Sequence, residues 1–136
     1  MKNLSYTVPT AKSMDEAVRA VEENAAAYGF RVLHVHDIAA TLAEKGVMRE
    51  PLKIVEVCNA TYAYEALEID VTSALLLPCP ITVYQREGQT YLCTMKPSAV
   101  AGFFPGSLEF VADQVEAAVL SIVDDAAAEP VAACAR

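Results

Sequence analysis

Apolar and polar positions along this chain follow two rhythms, one of period two and one near 3.6, and their order suggests the fold class. Leu4-Ser5-Tyr6-Thr7-Val8 alternates and halts at Pro9, the pattern of an opening strand. Ser13-Met14-Asp15-Glu16 fits a capping box, in which the Ser13 hydroxyl accepts from the Glu16 amide while Glu16 reaches back. Met14, Val18, Val21, Ala25 and Tyr28 follow at helical spacing, and Gly29 supplies the stop. Phe30 to Ile38 returns to period two and is expected to put Phe30, Val32, His34, His36 and Ile38 on one strand face.

Ala39 to Lys45 has room for two helical turns before Gly46, with Asp37 as their cap. Leu52 to Cys58 reads as a third strand and Tyr62 to Leu67 as a short helix. Ser73-Ala74-Leu75-Leu76-Leu77 reads as a buried strand that Pro78 and Pro80 must kink or push to an edge. Ile81 to Arg86 and Thr90 to Met95 flank Glu87-Gly88-Gln89, the strongest hairpin signal in the chain. Ser107 is the expected cap of a closing helix whose inner stripe is Leu108, Val111, Val115, Val119 and Ile122.

The resulting order is β-α-β-α-β-α-β-β-α. Two long amphipathic helices near the ends each need one sheet face to cover. An antiparallel-rich sheet with both helices on one side satisfies them, so the expected class is α+β, a two-layer sandwich. Residues 1–128 are expected to make one domain and 129–136 a loose tail.

Composition narrows the function classes. The chain has 136 residues and is 54% hydrophobic, enough for a sizeable core without metal or disulfide staples. No apolar run approaches the roughly 20 residues of a membrane-spanning helix, and the N-terminus has no signal-peptide pattern, so a cytoplasmic protein with reduced thiols is expected. Ten basic against eighteen acidic residues give a net charge of −8 with the cations scattered, which sets a repulsive field against nucleic acid.

The candidate chemistry centres on Cys58-Asn59 and on Pro78-Cys79-Pro80, where the backbone is expected to turn. A thiol just past a strand end is open to a ligand or a second thiol, whereas one in mid-strand is core filler. If their strands are neighbours, Cys58 and Cys79 can approach disulfide or metal-ligand distance; otherwise both are small buried hydrophobes. Their spacings contain no C-x-x-C, so no zinc knuckle or thioredoxin-type motif is present. His34 and His36 lie roughly 6.5 Å apart along one strand face, and with Cys58 and Cys79 they make a candidate soft site for zinc or copper(I). Glu56 sits among apolar neighbours and is a candidate acid or base if buried, or an ordinary exposed sheet residue if not. Tyr62 and Tyr64 can line a pocket mouth beside Cys58; Cys93 reads as core and Cys134 as incidental. The main enzyme signatures, a Gly-rich phosphate loop, G-x-S-x-G and H-E-x-x-H, are missing.

Leu52-Lys53-Ile54-Val55-Glu56-Val57-Cys58-Asn59-Ala60, then Ala66-Leu67, then Leu76 through Tyr84 resemble the family known as domain of unknown function 302, over about Leu4 to Asp125. The marks of the resemblance are the strand ending in Cys-Asn and the Leu-Pro-Cys segment leading to a Val-Tyr strand. Members commonly have proline after that asparagine, where this chain has Ala60. The resemblance implies a TBP-like α+β fold, a curved sheet gripped by two helices, and often a homodimer; it implies no reaction. Three functions are carried forward. One is a binding or sensing module using Cys58, Asn59, Cys79 and Glu56 toward a soft metal or thiol-reactive ligand. The others are a homodimeric interaction protein without small-molecule chemistry, and an enzyme with Glu56 as acid or base.

Overall fold

The computed structural model describes residues 3–129. Its elements are β1 Ser5–Thr10, α1 Met14–Ala27, β2 Arg31–Asp37, α2 Ile38–Ala43, β3 Leu52–Cys58, α3 Ala60–Ile69, a 3₁₀ helix Val71–Leu76, β4 Cys79–Arg86, β5 Gln89–Met95 and α4 Glu109–Ala127. Two single 3₁₀ turns, Pro97–Ala99 and Ala101–Phe103, lead into α4. The strands form one antiparallel sheet in the order β1-β5-β4-β3-β2.

Both long helices cover the same face. α1 packs on β2, β3 and β4, α4 packs on β5 and β1, and the two helices pack on each other. Val55, Val57, Ile81, Val83 and Leu92 point into this layer and are fully buried. This is the two-layer α+β arrangement that the paired amphipathic stripes required. The stripe of α1 is turned slightly from the expected one, since Ala17, Ala20, Val21 and Ala25 are buried while Tyr28 stays 39% exposed. Small alanines at the contact let α4 lie close, so the larger side chains move to its margins.

Capping and end contacts set where the helices run. The Ser13–Glu16 capping box forms in both directions, at 3.2 and 2.9 Å. Asp37 accepts from the Ala40 amide at 2.9 Å and starts α2. The last turn of α4 is latched to β1 and its sequel, where Thr10 Oγ1 donates to the Ala127 carbonyl at 2.8 Å and Lys12 Nζ to that of Ala126 at 2.7 Å. Tyr6 and Tyr28 donate to Asp124 and Asp125, each at 2.6 Å, and these carboxylates hold both phenols above their ordinary pKa. Glu87 and Gly88 form the two-residue hairpin turn, both with positive φ.

Four expectations change. The segment read as a strand from Ala74 to Leu77 is the end of a 3₁₀ helix capped by Asp70, with Leu75 82% exposed; an apolar run of four carries no period to separate the two. β4 starts only at Cys79 and is the central strand, not an edge. Pro80 is tolerated as its second residue, and its carbonyl accepts from Thr94 Oγ1 at 2.8 Å.

Ser107 does not cap α4. The N-cap is Leu108, without a side-chain bond, because that residue is drawn into the core at 3% exposure. β2 contains a bulge: Val32 pairs with Val57 and His34 with Glu56, leaving Leu33 as the extra residue. Val32 and Val35 therefore share the face of Val57 and Val55, while His34 and His36 share the opposite face with Glu56 and Ile54. Beyond Glu129, the expected tail and Cys134 lie outside the described residues.

Candidate functional site

One end of the sheet collects the last residue of β3, Cys58, the first of β4, Cys79, and the last of β5, Met95. Each chain segment leaving or entering there is bent over that end. Asn59 makes the first bend. Its side-chain oxygen accepts from the Tyr62 amide at 3.0 Å and caps α3, while its side-chain nitrogen donates to the Gly29 carbonyl at 3.0 Å. Ala60 is thus the first residue of α3, a position that suits proline as well, so the departure noted in the sequence leaves the corner unchanged. Asp70 makes the second bend by capping Val71–Leu76. Gly106, at φ +82°, makes the third, and a Cβ there would meet Ile69 Cγ2 at 2.7 Å.

The space these bends enclose is a cavity of about 50 Å³ between the sheet end, α3, the 3₁₀ helix and the start of α4. Phe30, Tyr62, Leu76, Met95, Leu108 and Val111 supply most of its wall, Cys58 and Cys79 lie in it, and no charged side chain lines it. Its size admits a few waters or one small apolar group. One polar atom in it stands out. Ser73 is 1% exposed, lines the cavity, and its hydroxyl has no hydrogen-bond partner. Buried hydroxyls are nearly always paired, and the space beside this one is large enough for a water or a ligand group to supply the bond.

Both thiols are free. Val57 faces Cys79 across the β3–β4 ladder, so Cys58 is one residue out of register with it. Strand separation and one residue step together place the two backbones roughly 6 Å apart, inside the spacing over which disulfides form. Successive residues of a flat strand would point to opposite faces, but at the strand end both side chains border the same cavity. Cys79 is buried and Cys58 is half-buried. Burial, with the Cys58 charge adding to it, pushes the Cys79 thiol up to about 11, and burial also raises Cys58. Near neutral pH both are therefore thiols rather than thiolates, which makes them poor nucleophiles.

The other expected site residues lie elsewhere. His34 and His36 stack edge-to-face at 4.4 Å on the outer sheet face, and His36 Nε2 is 3.3 Å from Glu56 Oε2. Among the described residues, no group of three or more His, Cys, Asp and Glu side chains could hold a metal ion, so the four-residue set Cys58, Cys79, His34 and His36 is not assembled. Glu56 is partly exposed, faces away from the cavity and lies 3.3 Å from His36, so it is not among the residues of this site.

Tyr62 lines the cavity, whereas Tyr64 is 65% exposed. Cys93 is not core: it is half-buried on the outer face and accepts from Thr7 Oγ1 at 3.1 Å. Ser73, Leu76, Met95 and Leu108 are read from the sequence as strand or helix positions and not as site residues. Their traces are the apolar run before Pro78, the end of the second hairpin strand and the inner stripe of the closing helix.

The fold and this cavity define a class: a small α+β domain with a closed helical layer on one sheet face and an apolar pocket at one sheet end. The domain of unknown function DUF302 matches residues 6–126, and the chain belongs to that family. The crystal structure of an uncharacterized conserved DUF302 protein from Bacillus stearothermophilus is similar, at 30% identity and a TM-score of 0.87, covering 92% of this chain and 99% of the other. No curated protein matches. Among the described residues, no helix is long and apolar enough to cross a membrane.

Proposed function

We propose that the chain is a binding and sensing module that takes a small soft ligand into the sheet-end cavity, with Cys58 and Cys79 as the thiols that meet it. The observation that carries this reading is the convergence of two thiols and an unpaired hydroxyl on one cavity with no charged wall. An anion entering it would meet no counter-charge and would pay its full desolvation. A small thiol-reactive molecule fits the walls, as does a soft ion such as copper(I) that displaces the two thiol protons and is held between the sulfurs. Zinc needs four ligands, of which this end of the sheet offers two.

Site-resolved alkylation of the native, reduced protein tests the reading. Cys58 is expected to label faster than Cys79 because it is the more open, and copper(I) is expected to protect both. That protection is expected to vanish in Cys79→Ser. Equal labelling of Cys58, Cys79 and Cys93 with no protection by copper(I) would leave the reading without support.

The reading takes the cytoplasmic setting expected from the sequence, in which both thiols stay reduced. The net charge of −8 supports the absence of a nucleic-acid partner. We also infer a homodimer. The outer sheet face, with Ile54 and the stacked pair Tyr84 and Tyr91 at 5.3 Å, is not covered by α1 or α4. Sedimentation at micromolar concentration is expected to give twice the 14.6 kDa mass of the chain. A monomer alone would remove the inference.

A further inference from the structure

The segments that roof the cavity carry an apolar surface of their own. Val71 and Leu75 on the 3₁₀ helix are 72% and 82% exposed, Phe103 in the turn before α4 is 86% exposed, and Phe110 in its first turn is 72% exposed. Large side chains left this open, on segments that meet around one pocket, mark a contact surface rather than the scattered apolar exposure of any protein.

The charges on these segments have a single sign. Residues 60–77 and 97–113 contain no Lys, Arg or His, but they do contain Glu65, Glu68, Asp70, Glu109 and Asp113. Of the nearest cations by sequence, Lys53 and Arg86 lie on β3 and β4 and Lys96 follows β5, while Arg31 stands opposite Cys58 on β2. An apolar patch set among carboxylates complements an apolar stripe flanked by lysines or arginines. It opposes a second copy of the same surface, which would bring carboxylate against carboxylate, and it opposes anionic lipid for the same reason.

We propose that this surface docks a basic amphipathic segment of a partner protein, one side chain of which enters the cavity. The entering group must be slender and apolar, to suit walls such as Leu76, Leu108 and Val111, and must carry one acceptor for the unpaired Ser73 hydroxyl. A methionine side chain has that shape, and its thioether sulfur is such an acceptor. The docking rests on the cavity being open to an occupant, as in the preceding reading. It adds the partner and its charge.

The probe is a short fluorophore-labelled amphipathic Leu/Lys helix with one central methionine, titrated by anisotropy against the full chain at physiological salt. Leu75→Ser combined with Phe103→Ser, both at surface positions, is expected to weaken binding at least about tenfold, as is replacement of the peptide lysines by glutamate. The bound peptide is expected to slow alkylation of Cys58 and Cys79. Equal affinity for the wild type and the double variant overturns the proposal, because the attraction would then be that of any acidic protein for any basic peptide. Binding that leaves thiol labelling unchanged overturns the anchored docking, although the copper(I) protection test can still succeed by itself. Variant-sensitive binding to phosphatidylcholine vesicles with none to the peptide would make the surface a lipid one and also sink it.

Discussion

As pH rises from 9 toward 11, the protein is expected to lose roughly 2–3 kcal/mol of stability through Cys79 alone, because one pKa unit corresponds to about 1.4 kcal/mol. The thiol has an ordinary value of 9.0 and is pushed up to about 11 by burial, with the nearby Cys58 charge adding to the shift. The folded-state pKa is the raised one, so the native protein holds this proton where the unfolded chain has already lost it. Its contribution is complete below pH 9, falls as the unfolded thiol ionises, and is gone above the folded value. Denaturant midpoints measured across this range under reducing conditions should fall steeply in the wild type. Cys79→Ala should fall less, since lysines and tyrosines titrate alike in both. Parallel slopes would mean that Cys79 is not held as a buried thiol.

Ile81→Ala is expected to cost about 3–4 kcal/mol and Ile54→Ala less than about 1 in the monomer, although both shorten an isoleucine in a strand. Ile81 lies on the central strand, is fully buried and pairs with Val55 and Thr94 beneath the helices. Removing most of its side chain leaves a cavity where the two layers are tightest, and neither the sheet nor the helices can close it. Ile54 stands on the other face, between Thr82 and His36, with solvent above it. Chemical denaturation at low protein concentration reads both. Comparable losses at the two positions would mean that the second face is also packed, which in a dimer should appear as a dependence on concentration.

The fold was readable because its signals were periodic and local. The α1 capping box, the 3.6 spacing of α4 and the Glu87-Gly88 hairpin each name a structure from adjacent residues, and each forms. β3 was delimited by its ends alone, Leu52 to Cys58. Where the sequence misled, a long-range contact decided. Leu108 is pulled into the core and takes the place expected of Ser107, and the insertion at Leu33 is compelled by partners on β3. The site was legible only in part. Cys58, Asn59 and Cys79 do border one cavity, and the turn residues beside them were the reason to look there. Asn59, however, spends its amide on the corner itself. Ser73 left no sign, because a serine in an apolar run looks the same whether its hydroxyl is paired or orphaned.

Leu33 works as a phase slip in β2. Residues on either side of it keep strict alternation, but the two halves are half a period apart, so one strand can present Val32 and Val35 inward and the imidazoles outward. A chain lacking this single residue would set Val32, His34, Val35 and His36 directly against Val57, Glu56, Val55 and Ile54, an unbroken ladder with the same side chains inward. The bulge is thus an irregularity that an edge strand carries at no cost to its facing, and deleting Leu33 should straighten β2 into a better template for pairing with another chain.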